Sequence, residues 1–368
     1  MRTMGGEQVE EAVAGAVALL RTAADRDWEA VRAARLEWSC RYTAEHIAGD
    51  LIAYAGQLAG RATEAYVPFE ITLDGTDDGL DPADNEGVLH VIETTGALLA
   101  AAVRTTPPEV RAFHPYPFRS ANREGFAAMG VAEVLLHTHD IAEGLGLAYE
   151  PPTGLCQDVL TRIFPHVQPG ADPWRTLLWA TGRGELPGRA PVTEWRWRNN
   201  LVIPAERLTL QGVTPAAAYD LAAGGDGGFA WVEGGPYQGT RDAASMLLKA
   251  YEAGVHRPEW GVFTLVRRED RRAVGGMGFH GAPDEDGRVE IGYDLVESAR
   301  GHGYATEALR ALSAWALARD EVTSVFATTE PDNTASQAVL TRAGFTRVCG
   351  EDTEDTPDTG QFAYELRG

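Results

Sequence analysis

Arg300-Gly301-His302-Gly303-Tyr304-Ala305 has the residue types and spacing to hold a charged ligand. It follows Val289-Glu290-Ile291-Gly292-Tyr293-Asp294-Leu295, which is β-branched and aromatic enough for a buried strand. It precedes Thr306-Glu307-Ala308-Leu309, the opening of an Ala-, Leu- and Glu-rich run that predicts a helix through Ala318. A strand, a glycine turn and a helix start form an anion-binding device. Glycines let the backbone approach a ligand closely. Unpaired N–H groups at the helix start then face that ligand, aided by the positive end of the helix dipole. A phosphate or pyrophosphate is the expected occupant. The segment is not a P-loop, which needs Gly-Lys-Ser or Gly-Lys-Thr where this chain has Gly303-Tyr304-Ala305. Nor is it a dinucleotide fingerprint, because no third glycine follows Gly301 and Gly303 at the required place. Arg300, Gly303 and Ala305 do satisfy Arg/Gln-x-x-Gly-x-Gly/Ala.

The context extends the pattern. Ser324-Val325-Phe326-Ala327-Thr328-Thr329 predicts a strand, residues 333–340 a helix, and Ala343-Gly344-Phe345-Thr346-Arg347-Val348 follows. Together with the loop, these residues resemble the second half of the core of the GNAT acetyltransferase superfamily, in which an Asn and a Gly-Phe pair bracket the last crossover helix. Residues 203–210, Ile-Pro-Ala-Glu-Arg-Leu-Thr-Leu, are similar to the opening strand of the branch that acetylates N-terminal amines of ribosomal proteins. The resemblance covers about residues 199–368. It implies an α+β fold with a central mixed, mostly antiparallel sheet. It also implies acetyl-CoA as acetyl donor and a small-molecule or peptide amine as acceptor. The strand would splay from its neighbour so that amides at Tyr293, Leu295 and Val296 bind pantetheine and polarise the thioester carbonyl. Arg300, Gly301, His302, Gly303, Tyr304, Ala305 and Thr306 would hold the pyrophosphate.

Acetyl transfer from a thioester to an amine requires a neutral amine, hydrogen-bond donors for the oxyanion and a proton for the leaving thiolate. Glu290 is similar in position to the strand glutamate that serves several GNAT enzymes as general base, often through water. Alternation puts Glu290 and Gly292 on one strand face, with Ile291 and Tyr293 on the other, so Glu290 either borders a cleft or faces solvent. Asp294 shares the Glu290 face and is an alternative contact for a cationic acceptor. Many members carry a tyrosine acid seven residues after the Asn, where this chain has Leu340. Ser336 is similar to the serine proposed for that role in the ribosomal-protein branch. Asn333 would bond pantetheine or cap the helix.

The first half of the chain reads differently. Residues 7–24, 43–58, 85–103, 124–143 and 155–164 predict helices, and an acidic loop covers residues 74–82. The expected architecture is two domains, a mostly helical bundle over residues 1–198 followed by the GNAT fold over 199–368. Glu133 and His137 are four apart on a predicted helix and share a face, and His46 lies on an earlier helix. Three such ligands leave positions open for water or a thiol, as in a catalytic Zn²⁺ site. Trp38, His46, Glu133-x-x-x-His137-x-x-Asp140, Trp174 and the stretch 177–183 resemble the DinB-like bundle of the mycothiol-dependent maleylpyruvate isomerases, over about residues 8–198. That resemblance implies His46, Glu133 and His137 as metal ligands. His139 points away from His137, Asp140 is placed to orient a ligand, and Arg119 and Arg123 are either anion contacts or surface arginines. A junction is expected in the Pro- and Gly-rich stretch 184–200. Trp195 and Trp197 alternate with charged residues there and predict a short strand.

The formal net charge of −22 argues against general nucleic-acid binding and is compatible with a cationic acceptor. A solvated acidic loop is expected at residues 351–355. Cys40, Cys156 and Cys349 are too few and too far apart for a disulfide framework. The sequence reads as having no membrane-length apolar run and no secretion signal, so a cytoplasmic protein is expected. The leading function is acetyl-CoA-dependent N-acetyl transfer to a primary amine. The alternative is a metal- and thiol-dependent, mycothiol-type transferase or isomerase acting through the first domain. A third reading makes both halves ligand sensors or assembly parts without turnover.

Overall fold

The structure, a computed structural model, describes residues 4–68, 84–107, 110–115, 119–167, 169–348 and 360–368. Both acidic loops expected above, and Cys349, lie outside the described residues. The chain divides into two units, Met1–Asn199 and Asn200–Gly368.

The first unit is built on α1 (Gly6–Arg21), α2 (Cys40–Gly60), α3 (Asn85–Thr105) and α4 (Arg123–Gly144). A short antiparallel pair, β1 (Arg111–Ala112) and β2 (Ala121–Asn122), leads into α4. α5 (Thr153–Ile163) and α6 (Pro173–Ala180) follow it. Polar caps start most of these helices: Ser39 accepts from the Tyr42 N–H, Asp84 from Gly87, Asn122 from Gly125 and Asp172 from Arg175. Each such cap stabilises its helix by about 1 kcal/mol. α1 and α2 both pack against α3 and α4, and α5 packs on α4. α4 is therefore enclosed, and its residues from Gly125 to Thr138 are all buried, including Glu133 and His137. Charges on a fully surrounded helix need partners, and that need shapes the site below.

Two expectations change in this unit. α3 is long and apolar enough to cross a bilayer by length and composition alone. Its apolar stripe of Val88, Leu89, Ile92, Leu99 and Val103 is nevertheless buried in the bundle core. The strand expected at Trp195 and Trp197 does not form. That segment is held instead by ring contacts, Trp195 to Trp197 at 4.7 Å and Trp197 to Phe164 at 5.5 Å, and by the Arg198 N–H on the Ile163 carbonyl. Among the described residues, no strand pairs with it.

The second unit holds an eight-stranded sheet. It begins with β3 (Val202–Pro204) and β4 (Leu208–Gly212), then α7 (Pro215–Ala222) and α8 (Gln238–Glu252). β5 (Val262–Arg267), β6 (Ala273–Phe279) and β7 (Arg288–Leu295) form a meander. α9 (Tyr304–Leu317), β8 (Ser324–Thr329), α10 (Thr334–Ala343), β9 (Thr346–Val348) and β10 (Phe362–Arg367) complete it. The strand order is β3-β4-β5-β6-β7-β8-β10-β9. The expected single strand over residues 203–210 is a hairpin: Pro204 has no N–H to extend a ladder, and the Ala205 N–H turns back onto the Leu208 carbonyl.

All strand pairs in this sheet are antiparallel except β7–β8. A parallel pair needs a crossover, which α9 supplies, so the turn into α9 must sit at the carboxyl end of β7. The β7–β8 ladder runs only from Arg288↔Ser324 to Glu290↔Phe326, although β7 continues to Leu295 and β8 to Thr329. Beyond Glu290 the two strands part, as expected. A second tie fixes the start of α9. The Glu307 carboxylate accepts from the Arg207 and Leu208 amides at 2.6 and 3.1 Å and from the Arg207 guanidinium at 2.8 Å. Glu307→Ala is expected to destabilise this unit by about 2 kcal/mol, the scale for hydrogen bonds to a charged group. Urea denaturation followed by tryptophan fluorescence checks it, and an unchanged midpoint would show the tie to be dispensable.

Candidate functional site

The turn into α9 is the first component. Gly301 and Gly303 have φ of +79° and +81°, a region that costs a residue with Cβ about 1 kcal/mol or more. With those turns in place, none of the amides from Gly301 to Thr306 donates to any described acceptor. They form a continuous run of donors at a helix start. Around them, Arg207 donates to the His302 carbonyl at 3.0 Å and lies over the Tyr304 ring, and His302 stacks on Tyr304. Arg300 bonds the Leu295 carbonyl at 3.1 Å and lies over Tyr237. Tyr304 and Ala305 are buried against the sheet, so the fixed face of this turn is backbone.

The parted strands are the second component. The Glu290 carbonyl accepts from the His280 N–H, and the Val296 N–H donates to the Val274 carbonyl at 2.9 Å. Even-numbered backbone groups of β7 thus face β6, and alternation turns the Tyr293 and Leu295 amides into the gap that β8 leaves. Val296 drops out of the expected pantetheine set, because its N–H is spent on β6.

Two hydroxyls meet at this gap. Tyr293 Oη lies 2.9 Å from Ser336 Oγ and 3.3 Å from the Ser336 carbonyl. Burial pushes the Tyr293 hydroxyl above its ordinary pKa, against the pull of the Ser336 bond, so it stays protonated. Asn333 caps α10, its Oδ1 accepting the Ser336 N–H at 3.0 Å. Leu340, at the usual tyrosine position, is fully buried in the core.

The third component is a cavity of about 330 Å³ bounded by α8, the segment before β5, and β6–β7. Its wall includes Met246, Leu247, Ala250, Val255, Met277 and Phe279. Asp294 lies on this wall but is occupied: it accepts from the Thr240 amide and hydroxyl, both at 2.7 Å, and from the Gly276 amide at 3.0 Å. It pins the start of α8 to the sheet and is not the free cation contact considered above. Glu290 is occupied as well, by His280 Nδ1 at 3.0 Å and by the Thr328 hydroxyl at 3.1 Å. The His280 contact holds Glu290 below the usual carboxylate range and raises His280 above the usual histidine range.

Sequence reading missed His280, His256 and all of α8. His256 is buried on the cavity wall, and burial pushes its pKa down to about 4. It is a neutral imidazole whose Nε2 has no partner among the described residues. The run Ala244, Leu247, Leu248, Tyr251 carried the helical period that would have revealed α8.

Residues 207–346 match the acetyltransferase (GNAT) domain family. Most of the carboxy-terminal unit thus matches a GNAT acetyltransferase domain. Two curated relatives match within it. The uncharacterized N-acetyltransferase YjdG of Bacillus subtilis (strain 168) is 43% identical over 81 residues, 22% of this chain and 48% of YjdG. The uncharacterized N-acetyltransferase p20 of Bacillus licheniformis is 34% identical over 83 residues, 23% of this chain and 47% of p20. The chain thus spans about half the length of these relatives. A solved acetyltransferase from Agrobacterium tumefaciens str. C58 is 24% identical, covers 48% of this chain and 100% of its own, and has a TM-score of 0.33. The matched residues 207–346 include the glycine turn, the parted strands and the cavity wall.

The first unit holds a separate cluster. His46, Glu133 and His137 each bring one ligand atom within 4.8 Å of the others. His137 Nε2 lies 3.2 Å from Glu133, while its Nδ1 bonds Asp140 at 3.0 Å, and Arg183 holds Asp140 at 2.9 Å. Asp50 bonds His46 at 3.2 Å, Tyr54 donates to Glu133 at 3.4 Å, and Trp38 packs on His46 at 4.8 Å. Burial and the neighbouring Glu133 carboxylate push Asp50 up to about 8. His139 turns away to Trp174 and Glu143. Arg123 bonds the Thr106 carbonyl and Arg119 lies over Phe113, so neither joins the cluster.

Gly303→Glu places a side chain with unfavourable backbone geometry and a negative charge on the donor turn. Affinity for coenzyme A, measured by calorimetry, is expected to fall by about 100-fold or more, nearly 3 kcal/mol. Unchanged affinity would remove the turn from the donor site.

Proposed function

We propose that the GNAT domain is an acetyl-CoA-dependent N-acetyltransferase acting on a primary amine. The observation that carries this is the run of unpaired amides from Gly301 to Thr306, set at the end of β7 beside the strand gap. That run suits a pyrophosphate. The Tyr293 and Leu295 amides suit an extended pantetheine arm, which a peptide-like chain can pair with as a strand does. The Leu295 end of the gap lies next to the turn in sequence, so one ligand can use both. Tyr293 and Ser336 offer a hydroxyl pair for protonating the leaving thiolate. The acceptor would enter the cavity under α8. Its largely apolar wall favours an amine borne on an apolar body over a polyamine.

The test is thiol release from acetyl-CoA with an amine panel, run on metal-replete and chelated protein side by side. Turnover with aryl- or alkylamines, indifferent to chelation, is the expected result. Tight coenzyme A binding with no turnover on any amine or peptide N-terminus would overturn the reading.

We further propose that the amino-terminal unit binds a divalent metal such as Zn²⁺ through His46, Glu133 and His137, as its DinB-like pattern implies. The supporting observation is the convergence of two imidazoles and a carboxylate, with His137 oriented from behind by Asp140 and Arg183. The donor set fits a catalytic-type zinc site that keeps a position open for water or a thiol. His46→Ala/His137→Ala protein is expected to lose the one equivalent of metal that wild type retains after dialysis, measured by plasma mass spectrometry. Metal-free wild type after zinc loading would remove this site and with it the metal- and thiol-dependent alternative.

A further inference from the structure

The sequence pointed to Glu290 as the base, and the geometry redirects that assignment. Both Glu290 oxygens are engaged, Oε1 by the Thr328 hydroxyl and Oε2 by His280 Nδ1. The carboxylate therefore has little left to offer an incoming amine. His280 does. It stands at the end of β6 and is half exposed. With Nδ1 bound to Glu290, its Nε2 is turned over β7: a Cβ built on Gly292 would come within 2.8 Å of it. Gly292 is the residue that lets the ring lie there. His280, Gly292 and Tyr293 all line the same cavity. Tyr293 also belongs to the strand whose amides face the gap. A nucleophile in the cavity thus meets Nε2 on one side and the gap on the other.

We propose that His280 is the proton acceptor for the amine and that Glu290 is its positioning residue. This rests on the acetyl-transfer reading above. Nε2 takes one proton from the bound ammonium and frees the nitrogen lone pair. The nitrogen attacks the thioester carbonyl carbon, the C–N bond forms, and the carbonyl electron pair moves to oxygen. When the carbonyl reforms, the C–S bond breaks and sulfur leaves with its electron pair. The second nitrogen proton reaches the thiolate by way of the Tyr293–Ser336 hydroxyls, and His280 returns its proton to solvent. The products are the N-acetylated amine, the free thiol and one proton.

Glu290 does for His280 what a carboxylate does for any catalytic imidazole: it fixes the tautomer and stabilises the charged form. The other charged or titratable groups on the cavity wall are Asp242 of α8, His256 and Arg257 before β5, and Tyr293 and Asp294 of β7. Among the described residues, Glu290 is the one that forms an ion pair with the His280 ring. Since His280 must be neutral to act, activity should rise with pH through a midpoint above the ordinary histidine range.

The experiment is a pH–rate profile, with the best amine from the panel, for wild type, His280→Gln and Glu290→Gln, together with coenzyme A affinity for each. His280→Gln is expected to lower kcat by about 100-fold with coenzyme A affinity held within about twofold, the usual scale for a lost general base. Glu290→Gln keeps the shape but loses the charge, so the rising limb should move to lower pH, which a purely structural glutamate would not cause. The proposal fails if His280→Gln keeps turnover within about threefold of wild type, or if the Glu290→Gln limb stays in place. In either case the acetyltransferase reading stands. A wild type inert toward every amine sinks both.

Discussion

The carboxy-terminal unit depends on one interruption, the end of the β7–β8 ladder at Glu290↔Phe326. A sheet normally pairs every interior backbone group, and leaving an amide without a partner costs free energy. Here the strands part just where β7 carries Tyr293 and Leu295, and the crossover helix α9 starts at the same end. The crossover follows from the parallel pairing of these two strands, the sole such pairing among the described strands of the sheet. Parallel strands demand a crossover, and the crossover delivers a helix start to the mouth of the gap. The donors of the turn and of the gap are thus parts of a single topological choice.

Occupied side chains decide the chemistry more than available ones do. Asp294 looks free on the strand face, yet it is spent on Thr240 and Gly276. That expense is what brings α8 down onto the sheet and closes the cavity. Glu290 is likewise spent on His280 and Thr328. Each carboxylate positions another element, and the groups left open to a ligand are backbone amides, hydroxyls and imidazoles. In the amino-terminal unit the logic runs the other way. Enclosure of α4 forces Glu133, His137 and Asp140 to find each other, with Arg183 closing the chain. A buried polar network of this kind is costly unless fully satisfied.

Much of this architecture was legible in the residues themselves. The principal helices of the bundle, the strand at residues 324–329 and the glycine turn at Arg300 follow from local period, caps and turn chemistry, which act within a few residues of one another. The hairpin at residues 202–212 replaces the single strand expected over 203–210, because Pro204 has no N–H to extend a ladder. Trp195 and Trp197 alternate as a strand should, but alternation has no consequence without a partner strand. α8 has a plain helical period but carries no residue pattern that points to chemistry; its place over the cavity comes from packing on the sheet.

What the sequence by itself determined is which residues could bind an anion or a metal: the glycines that admit positive φ, and the helix period that sets Glu133 beside His137. Those are local facts, fixed by the chain within a turn or two. Only the tertiary structure decided that Tyr293 meets Ser336, that the Val296 amide goes to β6 and that His280 stands on Glu290. Each of those pairings is set by strand register or helix packing between distant segments. Register is a global property, and no spacing along the chain encodes it.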